Sequence, residues 1–392
     1  MSEGHGPTPE TPQTPPGWAV EQPPPYGSAP WSTPGQQSPP AQTPPPQQQY
    51  APGYGYMPPP ALRPGIIPLR PLGLGDIYDG TIKLIRSNPR VMLGLSAVVA
   101  AFAAVPTAIM QSTMLRDTGR LVDGIENGDT TASVTQSSGF LESIGGPLAS
   151  ALVGLVAVTL LTGMIMRVLG RAVFGGKLTA GEAWRLVKGR MGALFGVTIL
   201  TMVLVLAPLA VIIPVAIGTL DTYEAGLTVL ALAIPYIAYV LFINSRFSFA
   251  PAVAVLEGLG PVASMWRSWK LVTGDFWRVF GILLLTSILA GVISSIFVIP
   301  FSIVGFVVAI VGGGSLSSAV VGAVVVAVGG VLGSMISYPI QSGVAGLLYT
   351  DRRMRGEAFD LVLQTAAIEQ QRQGWVHDSA DDLWHPSNAS RL

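Results

Sequence analysis

No cysteine occurs in the chain, which excludes disulfides, thiolate metal sites and cysteine nucleophiles. Charge is nearly as scarce. Only 11% of the 392 residues are Asp, Glu, Lys or Arg, against about 25% in an average soluble domain. That is too little polar surface to cover a chain that is 49% apolar, with a mean hydropathy of +0.52. The formal net charge is zero, so no basic excess points to nucleic acid. Histidine is confined to His5, His377 and His385, leaving residues 6–376 without an imidazole for acid/base chemistry. The first sixty residues contain no apolar core of a secretory signal. They hold 19 of the 33 prolines, with Gln and Gly runs and Tyr50, Tyr54 and Tyr56 between them. Such a segment buries too little apolar surface to offset its chain entropy, so residues 1–62 are expected to be a disordered cytoplasmic tail. It serves either as a solubilising tail or as a docking tail with tyrosine contacts.

What the chain has in quantity is uncharged length. Beyond the proline-rich segment, five long apolar stretches carry no Asp, Glu, Lys or Arg: 91–115, 143–166, 191–220, 225–245 and 279–350. A hydrocarbon core of about 30 Å needs roughly 20 helical residues. The first four stretches therefore fit one span each. The fifth breaks naturally at Gly312-Gly313-Gly314-Ser315 into two long spans carrying Pro300 and Pro339, with four short spans as the alternative. Of the 22 basic residues, 20 fall in the tails and in alternate loops, leaving only Arg116 and Arg120 on the other side. By the positive-inside rule this gives six spans with both termini cytoplasmic. The excess of 18 Arg over 4 Lys suggests a GC-rich bacterial genome, so a bacterial cell membrane is expected. The membrane domain is expected over 63–355 and a cytoplasmic tail over 356–392.

An internal repeat organises these spans. Trp184-Arg185-Leu186-Val187-Lys188-Gly189 aligns with Trp269-Lys270-Leu271-Val272-Thr273-Gly274, and Lys83-Leu84-Ile85-Arg86-Ser87 fits the same pattern. Seven positions after each lies a glycine: Gly94, Gly196 and Gly281. The unit is an amphipathic interfacial helix followed by a helical hairpin, used three times. The predicted fold is thus an all-α membrane bundle of three hairpins, each preceded by a cytoplasmic interfacial helix. Thr179 with Glu182 has capping-box spacing, and Pro261 suits a first turn. Trp184, Arg185, Lys188, Trp266, Arg267, Trp269, Lys270 and Trp277 are the candidate membrane-interface residues. Their indoles suit the headgroup layer and their cations suit anionic lipid.

The stretch Met265-Trp266-Arg267-Ser268-Trp269-Lys270-Leu271-Val272-Thr273-Gly274-Asp275-Phe276-Trp277-Arg278 resembles a hallmark of the glycerophosphoryl diester phosphodiesterase membrane-domain family. Leu72-Gly73-Leu74-Gly75-Asp76-Ile77-Tyr78-Asp79-Gly80 looks like the opening of related bacterial domains. The likeness spans about residues 63–355 and implies a six-span membrane domain. The catalytic barrel that the family name suggests would need histidines and a carboxylate-bound metal, and 6–376 has neither the histidines nor the room.

Other chemistry is thin. The Gly312 run lacks the Lys and Ser/Thr of a phosphate loop. Asp351 and Glu357 beside Arg352-Arg353 read as a stop-transfer flank. Asp378, Asp381 and Asp382 near His377 and His385 read as a solvated acidic tail or a weak metal site. Ser337-Tyr338-Pro339-Ile340-Gln341 is the candidate lumen, with Tyr338 and Gln341 its polar groups; interhelical packing explains them equally. Ala319, Ala323, Ala327, Gly330 and Ser334 form a small-residue stripe suited to close helix packing. The expected role is non-enzymatic and cofactor-free: organising or assisting membrane components, with the bilayer, anionic headgroups and other membrane proteins as partners. The alternative is a transporter or channel for a neutral or lipid-like molecule. The charge alternation predicts that a reporter fused after Leu392 is active in its cytoplasmic form only; an externally active fusion overturns the topology.

Overall fold

The computed structural model describes residues 65–126, 140–218, 225–373 and 383–385; side chains at 126–149, 151, 216–230, 370–371 and 373 are outside that description. The expected N-terminal tail, 1–62, lies outside the described residues, as do His377, Asp378, Asp381 and Asp382.

Three short helices precede the three hairpins, as the repeat predicts. They are α1 (Leu74–Ser87), α4 (Ala180–Lys188) and α9 (Pro261–Thr273). Each is followed within two residues by a long apolar helix: α2 (Pro89–Glu126), α5 (Met191–Leu206) and α10 (Phe276–Val311). The returning helices are α3 (Phe140–Ala172), α7 (Ala225–Phe247) and α11 (Leu316–Glu357). Among the described residues, six helices are long and apolar enough to cross a membrane. The chain continues from α7 through α8 (Ala250–Ala252) into a π-helical turn, Val253–Glu257, closed by Gly258 at φ 74°. The glycine run ends α10, so 279–350 holds two long helices. Gly313 and Gly314 take positive φ there, a conformation that favours residues without Cβ.

Local chemistry sets the helix starts. Thr179 accepts from the Glu182 N–H while the Glu182 carboxylate accepts from the Thr179 N–H at 2.9 Å, closing the capping box. Those bonds from Thr179 hold the Glu182 carboxyl below its usual range. Pro261 occupies the first turn of α9, where its missing N–H costs nothing.

The third span is interrupted. Pro208 has no N–H for the Leu204 carbonyl, and the helix stops at Leu206 before resuming as α6 (Leu209–Gly218). Two tyrosines on α7 repair the gap. Tyr239 donates to the Leu204 carbonyl at 2.8 Å, and Tyr236 to the Val205 carbonyl at 3.3 Å. In lipid no water could do this, which is why polar side chains stand at that depth.

Small residues bring α10 and α11 together. A Cβ on Gly305 would lie 2.6 Å from the Gly322 carbonyl oxygen, and one on Gly322 would lie 2.5 Å from that of Gly305. Gly329 meets Phe301 and Gly333 meets Ser294, while Ser337 donates to the Ala290 carbonyl at 3.0 Å. The tight seam is therefore one register from the stripe read in the sequence. Ala319 and Ala323 are buried with Leu115 and Ala309, but Gly330 has no close neighbour. The glycines that recur at Gly94, Gly196 and Gly281 share no packing role: only Gly196 is crowded, by Pro261.

Tyr239→Phe removes the donor to Leu204 and should destabilise the detergent-solubilised protein by about 1–3 kcal/mol, the cost of an unsatisfied buried group. Adding Pro208→Ala, which restores the helical donor, should recover most of the loss. Thermal unfolding checks both, and an additive double variant would refute the repair.

Candidate functional site

The last turns of α11 carry Asp351, Arg352, Arg353, Arg355 and Glu357, and these side chains join nearly every element at the polar end. Asp351 is fully buried. It accepts from the Leu72 N–H at 2.7 Å, from Arg355 at 2.9 Å and from Arg278 at the start of α10. Arg278 and Arg355 also donate to the Leu72 carbonyl, at 2.8 and 2.9 Å. The strap before α1, residues 65–73, is thus tied to the third hairpin. Arg352 donates to the Leu271 carbonyl at the end of α9 and to Asp275, at 3.1 and 3.2 Å.

Arg353 is also fully buried, and Glu257 nearly so, with its carboxylate fully enclosed. The π-helical turn supplies Glu257, which accepts from the Tyr349 hydroxyl at 2.7 Å and pairs with Arg267 of α9 at 3.0 Å. Arg353 pairs with Glu357 at 3.0 Å and donates to Tyr349 and to the Trp384 carbonyl, at 3.3 and 2.9 Å. Arg267 closes the ring on Glu357 at 2.6 Å. Four carboxylates (Glu257, Asp275, Asp351 and Glu357) face five guanidiniums (Arg267, Arg278, Arg352, Arg353 and Arg355) across this network. The charges compensate one another almost completely, the condition under which charge can be buried.

Aromatic rings complete it. Trp384 is fully buried, stacked on Tyr349 at 6.3 Å and against Phe359 at 5.2 Å. The packed unit therefore runs past the expected boundary at 355: α12 (Phe359–Gln373) buries Phe359 and Leu363, and Gln364 donates to the Leu69 carbonyl. Nearby, the Arg246 guanidinium lies 4.5, 4.9 and 5.1 Å from the ring centres of Trp269, Phe276 and Phe242. This is a cation enclosed by aromatic faces.

The candidate interface residues divide into two sets. Trp184, Trp266 and Trp277 are 41%, 61% and 79% exposed, and Arg185, Lys188 and Lys270 are exposed beside them. Arg267 and Trp269 turn inward, one into the ionic network and the other onto Arg246. The candidate lumen residues separate too. Tyr338 packs against the main core while Gln341 is exposed, so they do not converge on one buried polar space.

Glu257, Tyr349 and Trp384 escape the sequence reading, which treats Asp351 and Arg353 only as part of a stop-transfer flank. Two signals were available. Asp351–Arg355 and Arg353–Glu357 stand at i,i+4 spacing, and Glu257 ends an apolar run of ten residues that holds one serine. Among the described residues no group of three His, Cys, Asp or Glu could hold a metal. The network is enclosed and mutually neutralised, an arrangement that fixes shape. Comparisons with protein-family models, curated proteins and solved structures found no match. The resemblance noted above rests on its motif.

Asp351→Ala leaves Arg355 without its carboxylate and Arg278 with Asp275 alone at 3.9 Å, and should cost about 3–5 kcal/mol, as for other broken buried pairs. Trp384→Ala should cost a comparable amount, about 3–5 kcal/mol, through the cavity it opens. Thermal unfolding of full-length protein measures both. A Trp384→Ala protein that melts like wild type would show that the tail does not dock.

Proposed function

We propose that this chain is a non-enzymatic multi-pass protein of a bacterial cell membrane whose cytoplasmic face organises or assists other envelope components. Kinship with the glycerophosphoryl diester phosphodiesterase membrane-domain family, and cytoplasmic placement of both termini, belong to the same proposal. The observation that carries it is the ionic network. It ties the strap, α9, α10, α11 and the Trp384 segment into one rigid polar end. It leaves Trp184, Arg185, Lys188, Trp266 and Lys270 outside as an exposed aromatic and basic surface. A catalytic centre needs ionisable groups that a substrate can reach; here Glu257, Asp351 and Arg353 are enclosed and paired.

A second reading, a path for a lipid-like molecule, has one observation in its favour. Helices α2, α10 and α11 have 38, 36 and 42 residues. Their lengths of roughly 57, 54 and 63 Å approach twice the hydrocarbon thickness. The apolar surface of α10 and α11 continues to the far end, where Val311 and Leu316 are exposed.

Photo-crosslinking amino acids placed at positions 185, 188 and 266 of the full chain in living cells test the docking role. Discrete protein adducts, absent when the same probe replaces an interfacial residue of an unrelated six-span protein, are the expected result. Lipid adducts alone would overturn it in favour of the second reading.

A further inference from the structure

We propose that the cavity between the last turn of α1 and the loop after α3 binds a phosphate-bearing group, either a phosphomonoester or a phosphodiester. The cavity has a volume of about 440 Å³, and its wall includes Ile66, Lys83, Arg86, Ser87, Gly176 and Lys177. The strap builds it. Gly65 crosses the end of α3 so closely that a Cβ would stand 2.3 Å from the Ala172 and Val173 carbonyl oxygens. The Ile66 N–H donates to the Ala172 carbonyl at 3.3 Å, which holds the strap in place. Gly175, at φ 79°, then turns the chain so that Lys177 faces back across the opening.

Charge identifies the ligand class. Lys83 is paired with Asp79 at 2.6 Å. Arg86 and Lys177 meet no acidic side chain among the described residues, and both are exposed. Three cations against one carboxylate leave an excess of two, which matches a phosphate oxyanion. The cations come from two elements some ninety residues apart in sequence and converge on one concavity, unlike a solvated helix face. At this end of the molecule Arg267, Arg278, Arg352, Arg353 and Arg355 are all engaged internally. The nearby N–H groups of Gly175 and Gly176 already donate to Ala172 and Arg171, and the Ser87 hydroxyl donates to Leu84. Recognition therefore falls to the Arg86 fork and the two ammonium groups. The floor of Ile66 and Ala172 is apolar and buried. Position fits as well: the apolar window of α3 ends at Ala172 and that of α2 begins at Pro89, the level of lipid headgroups. The phosphate can thus belong to a lipid or to a soluble ester. This inference stands on the cavity and does not rest on the docking role proposed above.

The test uses full-length protein in uncharged detergent, titrated by calorimetry with short-chain phosphatidylglycerol, with diacylglycerol of the same chain length, and with inorganic phosphate. Arg86→Ala/Lys177→Ala should weaken phosphatidylglycerol binding by about tenfold or more, the loss expected of charge-assisted hydrogen bonds. Arg86→Lys/Lys177→Arg, which keeps both charges, should retain most of it, and Arg120→Ala/Arg372→Ala should match wild type. Unchanged melting of each variant separates lost binding from lost folding. If inorganic phosphate displaces the lipid, the source is a soluble phosphate; if it does not, the headgroup is held together with its glycerol. Equal binding of diacylglycerol, equal losses in the two alanine variants, or no saturable binding of either phosphate compound overturns the proposal.

Discussion

Apolar helices in lipid gain little by leaving it for one another, so something other than hydrophobic burial must set their order. In this protein that constraint is charge compensation at the end of α11. Asp351 and Arg353 are enclosed, and their burial depends on partners that the strap, α10, the π turn and the Trp384 segment bring. Every one of those elements is thereby fixed relative to one short stretch of one helix. The dependence also runs the other way. Glu257 reaches the network only because the π-helical turn and Gly258 redirect the chain after α8.

The apolar part of the bundle follows a second rule, that no backbone group may be left without a partner. Its consequences are local where the ionic network is global. A single proline at position 208 demands two hydroxyls on a facing helix, and Tyr236 and Tyr239 meet that demand. Where no break occurs, glycine and serine take over. The Gly305–Gly322 approach and the Ser337 bond to Ala290 hold α10 against α11 at backbone distance. Polar residues in the spans are thus accounted for by packing, as with Tyr236, Tyr239 and Ser337, before any conduit is invoked.

Much of this was legible in the sequence, and the reason is physical. Spans, the glycine break and the three leading helices depend on hydropathy and on composition over long windows, which tertiary context rarely overturns. The capping box at Thr179 and the first-turn Pro261 are local and equally readable. The ionic network was not readable as a network. A charged run after a span looks the same whether it faces water or closes on itself, and in sequence Asp351 and Glu357 beside Arg352-Arg353 read as a stop-transfer flank. Its partners, Leu72 and Glu257, lie 279 and about a hundred residues away. Trp384 sits in a polar, acidic tail where nothing marks a docking residue. The small-residue stripe shows a subtler failure. Ala319 and Ala323 are buried as expected, yet the closest approach belongs to glycines one register away, because a stripe fixes spacing and leaves the partner's position open.

Compensation inside the network also bears on what lies outside it. Because four carboxylates and five guanidiniums are already bound to one another, the exposed Arg86, Lys177 and Lys188 find no carboxylate there to pair with. A rigid end with outward cations cannot relax around them, since the strap that positions Arg86 and the helices that carry the rest are held by buried pairs. Whatever neutralises those cations must come from the surroundings, and at the edge of an apolar helix bundle the abundant anion is phosphate. The same buried charges that fix the fold therefore also hold in place the outward cations on which the proposed anion recognition depends.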